Sequence, residues 1–125
     1  MEQNGIISMN SDALAELCME ICREGKAEDI RLFDVRKHSI LADFFLICNG
    51  TSAPHLRALA ERLKQRLAGE GLRAQGRDGE PGSQWIVLDY GLIIIHIIDP
   101  QLREFYSIEE LWEAGKLVQS PPPTD

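Results

Sequence analysis

A chain of 125 residues, 44% hydrophobic and 26% charged, can bury a core large enough for one compact soluble domain. Its formal net charge of -7 disfavours nonspecific attachment to a phosphate backbone, which depends on Lys and Arg displacing counterions, and makes a basic protein the more natural large partner. No basic segment followed by an apolar stretch opens the chain, and the longest apolar run, Leu92 to Ile98, is short and broken by His96, so neither an export signal nor a membrane span is expected.

Residues 1–10 are expected to be a flexible N-terminus. From Ser11, the residues Leu14, Leu17, Cys18 and Ile21 recur at helical spacing, with Ser11 or Asp12 able to cap the start and Gly25 able to end it. Cys18 and Cys22 lie one helical turn apart and Cys48 makes the count odd, so all three read as reduced thiols of a cytoplasmic protein rather than as a metal knuckle. "DIRLFDV" and "ADFFLICNG" then read as strands joined by the "RKHSIL" loop.

Leu56, Leu59, Ala60, Leu63 and Leu67 share one face of a second helix that stops near Gly69 and Gly71, while Arg57, Glu61, Arg62, Lys64 and Arg66 share the other. That charged face reads as solvated surface. "GRDGEPGSQ" is expected to be an exposed loop, with a possible short strand at Arg73 to Gln75 before it. "WIVLDYG" and "LIIIHII" follow as two strands of a hairpin or tight meander divided by Gly91. Asp99-Pro100 starts a helix, and Ser107 with Glu110 fits a capping box that carries it through Leu111 and Trp112. Residues 11–115 are expected to form a single domain and 116–125 a disordered proline-rich tail. The order implies an α/β (α+β) fold: a mixed sheet of about five strands packed with helices.

Several constellations raise the question of chemistry. "CNGTSAPH" turns from a strand into a helix, where backbone N–H groups attract anions, but the glycine spacing and lysine of a phosphate loop are missing. Thr51 or Ser52 capping the helix, with Pro54 tolerated in its first turn, accounts for the same residues without a ligand. Metal-dependent nucleotidyl transfer needs two carboxylates at i and i+2 of a strand, and Asp43 is followed there by Phe45, Asp89 by Gly91. Cys48 with His38, His55 or His96 is a weak nucleophile–base candidate, because a cysteine within "FFLICNG" suits a buried position. No ligand spacing for zinc is present. His96 is either a satisfied core histidine or a group on a partner-facing side of the sheet. Trp85, Val87 and Asp89 share one face of their strand, with Ile86, Leu88 and Tyr90 on the other. Pattern alone leaves Trp85 open between a core residue and an interface anchor.

In combination and in register over residues 12–114, "DIRLFDV", "SILADFFLICNGTSAPH", "WIVLDYG", "IIIHI" and "REFYSIEELW" resemble the ribosomal silencing factor family, also called Iojap-like proteins. The resemblance implies a nucleotidyltransferase-like core that lacks catalytic acids, no enzymatic activity and no cofactor or metal. It also implies binding to large-subunit ribosomal protein fourteen, a steric block to subunit joining that represses translation under nutrient limitation, and a possible homodimer. No sequence-specific nucleic acid is implied as a direct partner. Carried onto this chain, the implied partner contacts are Trp85, Tyr90 and Tyr106, with Asp89 and His96 as polar contributors. The chain departs from the family pattern at Pro54, where the family usually has arginine, and at Leu92, where it usually has aspartate. The competing reading is a minimal nucleotidyltransferase-type enzyme or a small-molecule-binding domain on the same scaffold.

Overall fold

The computed structural model describes residues 10–37, 39, 42–78, 84–106 and 116–119. Helix α1 (Ser11–Glu24) is capped by Asn10, whose side chain accepts from Ala13 N at 2.8 Å, so the cap lies one residue before the expected Ser11. It lays Leu14, Cys18, Ile21 and Cys22 onto the sheet and ends at Gly25. Helix α2 (Ala53–Ala68) buries Leu56, Leu59, Ala60, Leu63 and Leu67, the apolar stripe that its periodicity predicts. Both helices cover the same face, since both contribute to one core cluster with Leu46, Leu88 and Ile95.

The strands are β1 (Glu28–Asp34), β2 (Phe44–Asn49), β3 (Gly76–Asp78), β4 (Trp85–Asp89), β5 (Ile93–Ile98) and β6 (Lys116–Gln119), arranged in one sheet in the order β3-β4-β5-β2-β1-β6. β2 and β5 run parallel at its centre, and every other pairing is antiparallel, so the sheet is mixed as expected. All residues of β2 are buried, which explains why the strand reads as an unbroken apolar run instead of alternating. Register divides the side chains: Phe44, Leu46, Cys48, Ile93, Ile95 and Ile97 face the helices. Phe45, Ile47 and Ile98 belong to a second, smaller cluster with Trp85, Ile94 and Leu102 packed against it.

Two strands differ from expectation. The short strand before the hairpin lies at Gly76–Asp78 and not at Arg73–Gln75, because pairing of Gly76 with Asp89 and Asp78 with Val87, a backbone property, sets its position. Residues 116–119, expected in the tail, form β6 against β1, bringing the sheet to six strands; the open N–H and C=O groups of β1's outer edge supply the pairing. Helix α3 (Pro100–Tyr106) begins as expected, with Asp99 Oδ2 accepting from Gln101 N at 2.9 Å and Leu102 N at 3.3 Å. The expected continuation through Ser107, Leu111 and Trp112 lies outside the described residues, as does all of the flexible N-terminus expected over residues 1–10 except Asn10, which caps α1. No helix among the described residues is long and apolar enough to cross a membrane.

Candidate protein-docking site

Strand β4 alternates between its two environments. Ile86 and Leu88 are buried in the main core, whereas Trp85, Val87 and Asp89 are partly exposed on the opposite face. The helices α1 and α2 leave that face to the smaller cluster and α3, so a tryptophan there remains accessible. Its indole is held on both sides. Trp85 Nε1–H donates to His96 Nδ1 at 3.1 Å, and the Tyr106 ring lies with its centroid 5.6 Å away at an interplanar angle of 42°. Phe105 continues the strip, meeting Tyr106 edge-on at 4.9 Å. Phe105 is 77% and Tyr106 53% exposed, so two adjacent large aromatics at the end of a short helix face solvent beside a tryptophan.

His96 supports this strip from beneath. It is only 7% exposed, and burial pushes its pKa down to about 4, so the ring is neutral at ordinary pH. Because Nδ1 accepts from the indole, the ring proton sits on Nε2, an assignment drawn from the hydrogen-bond geometry. The structure thus places His96, expected as a polar contributor to partner contact, beneath the strip, where it accepts from Trp85 rather than facing solvent. Tyr90, also expected as a partner contact, lies away from the strip. It is 7% exposed, packs in the main core on the helix side of the sheet, and burial pushes its phenol up to about 12. Asp89 lies on the strip's face but its Oδ1 accepts from Gly91 N at 2.8 Å, which shapes the hairpin. Gly91 itself has φ +81°, and a Cβ there would meet Gln75 Nε2 at 2.8 Å, so the turn needs glycine on two counts.

Of the five residues expected to bind, the structure brings together Trp85, Tyr106 and, as support, His96. Sequence reading missed Phe105, although the adjacent "FY" pair of large aromatics was a visible signal. It also missed Arg103, on α3, which is 4% exposed and donates through Nη1 to Asp29 O at 2.7 Å and Asn49 Oδ1 at 2.9 Å.

The other candidate chemistries do not assemble. At the start of α2, Ser52 accepts from His55 N at 3.2 Å, and Thr51 N donates to His55 Nδ1 at 2.9 Å. His55 Nε2 in turn donates to Gly25 O at 2.9 Å, so two N–H donors of the turn, those of Thr51 and His55, already serve the cap, and the His55 ring ties α2 to the end of α1. Cys48 is fully buried on the helix side with Cys22 Sγ 3.9 Å away, and this contact and its burial raise its thiol well above the ordinary range, the opposite of a nucleophile's need. His96 lies on the other face, His55 is engaged in the cap, and His38 lies outside the described residues. Among the described residues no three His, Cys, Asp or Glu side chains converge as metal ligands.

Comparison with known proteins places this geometry in a lineage. Residues 8–124 match the family described as ribosomal silencing factor during starvation. A Haemophilus influenzae protein named ribosomal silencing factor RsfS is 39% identical over 100 residues, which cover 80% of this chain and 98% of that protein. A mouse protein named mitochondrial assembly of ribosomal large subunit protein 1 is 29% identical over 100 residues, covering 78% of this chain and 44% of that one. A crystal structure of a Chromobacterium violaceum protein superposes with a TM-score of 0.80 at 28% identity, over 83% of this chain and 87% of its own. Since the family match runs through nearly the whole domain, strip included, the chain belongs to the ribosomal silencing factor family.

Proposed function

We propose that this protein acts in the cytoplasm as a non-enzymatic repressor of translation: it binds the large ribosomal subunit through ribosomal protein fourteen and occupies a surface that the small subunit needs for joining. The observation that carries this reading is the contiguous strip of Trp85, Tyr106 and Phe105 on the sheet face away from α1 and α2. Aromatic anchors of this kind dominate the energetics of interfaces of ordinary size, about 1,600 Å² in total. Steric exclusion asks for no activated nucleophile and no metal, only for a partner held long enough to keep another body away. The names of the relatives, a silencing factor and a factor of large-subunit assembly, support the large ribosomal subunit as the target.

The test is co-sedimentation with separated ribosomal subunits, using wild type and a Phe105→Ala/Tyr106→Ala variant with an unchanged far-UV spectrum. Wild type is expected to travel with the large subunit alone, and the variant to remain largely in the supernatant. A wild type that pellets with neither subunit removes the ribosomal reading. A variant that pellets as well as wild type removes the strip as the docking surface.

A further inference from the structure

We infer that Arg103 is the positioning residue of this surface, a buried cation that holds α3 in place and so sets Phe105 and Tyr106 beside Trp85. The inference rests on the docking role proposed for the strip. Helix α3 has only seven residues, fewer than an isolated helix needs to persist in water. Asp99 caps its start, and Leu102 in the smaller cluster and Arg103, both in the first turn and just before the two exposed rings, tie it to the sheet.

The receptor for Arg103 is built into the sheet. Strand β1 carries an irregularity between Glu28 and Arg31, where Asp29 adopts the left-handed conformation with φ 49°. A non-glycine residue seldom adopts that conformation, and here it accompanies an Asp29 carbonyl lying 2.7 Å from Arg103 Nη1. Asn49, the last residue of β2 and itself buried, supplies Oδ1 at 2.9 Å, and the Asp29 carboxylate lies 3.6 Å away. A guanidinium is suited to this socket because it presents several donors in a fixed plane, whereas a lysine ammonium is a point charge on a flexible stem. Strained backbone on one strand, a buried amide on the next and a buried cation on the helix thus converge at one place, one turn before the strip.

The test separates positioning from bulk stability by comparing backgrounds. Arg103→Met is made in wild type and in the Phe105→Ala/Tyr106→Ala variant, and large-subunit affinity is read by titration while amide hydrogen exchange is followed by mass spectrometry. In wild type, Arg103→Met is expected to weaken binding roughly tenfold and to accelerate exchange in residues 101–106 while β2 and β5 stay protected. In the ring-less background it is expected to cost no further affinity, because its effect passes through rings already removed. Arg103→Lys should recover little of the loss. Exchange in α3 that stays slow after Arg103→Met, or an equal loss of affinity in both backgrounds, overturns the inference. If removing the rings alone leaves affinity unchanged, the docking reading has failed, and the exchange data still decide whether Arg103 holds α3.

Discussion

The imidazole of His96 sits where water cannot solvate an added proton, and that has a measurable consequence. Its folded pKa of about 4 lies below its unfolded value of 6.5, so the unfolded chain binds the proton first as pH falls. Above pH 6.5 the two states are alike and the group contributes nothing to pH dependence. Between pH 6.5 and 5 the difference removes about 1.5 kcal/mol of stability, and more is lost on approach to pH 4. Urea unfolding of wild type at pH 6.5 and 5 is expected to show that loss, and His96→Gln, which keeps an acceptor for Trp85 Nε1, to show less of it by that amount. Equal losses in the two proteins would contradict a buried, neutral ring. At this scale the sequence left His96 open between core and interface, because a polar residue inside "LIIIHII" looks the same in both; only the register, which pairs it with Val87 on the face that also carries Trp85, decides. Tyr90 was expected among the partner contacts for a related reason. Strand alternation put it opposite Trp85, correctly, but alternation does not say which face the helices cover.

At the scale of elements, the turn "GTSAPH" contains a complete account of how α2 starts. Ser52 caps, Pro54 occupies a position that has no N–H to lose, and His55 bridges Thr51 to Gly25. Ser52→Ala is expected to cost about 1 kcal/mol in chemical denaturation, the ordinary value of an N-cap. Gly50→Ala should cost more than a surface change, since a Cβ there would lie 2.7 Å from Leu56 Cδ2 and 3.2 Å from Leu56 N, and the backbone atom cannot yield. The cap also carries a functional expectation: nucleotide with Mg²⁺ at saturation leaves the melting temperature unchanged, whereas a native-state ligand would raise it. The long amphipathic helices and the central strands were legible because periodicity and burial agree along them. β6 was not. Its four residues pair through backbone with β1, a partner more than eighty positions earlier, and the prolines just beyond it read as the signature of a tail. The Arg103 socket was illegible for the same physical reason, since it joins residues 29, 49 and 103 through a local backbone irregularity that no spacing rule anticipates.

The whole molecule adds a term that no single element carries, its net charge of -7. Under the proposed function it approaches a basic ribosomal protein, and opposite net charges attract over a distance set by the Debye length, about 8 Å at physiological ionic strength. Charge spread over the surface acts mainly on encounter, while rings packed in a contact act mainly on departure. The strip contains no formal charge, so the two contributions are separable by salt. Raising the ionic strength from about 0.05 M to 0.5 M is expected to slow association with the isolated ribosomal protein by roughly tenfold and to leave dissociation nearly unchanged. Phe105→Ala should do the reverse, speeding dissociation with little effect on association. Stopped-flow mixing of the two purified proteins checks both. If salt speeds dissociation as strongly as it slows association, ion pairs and not aromatic rings hold the complex, and the docking surface must be sought on a charged face of the fold.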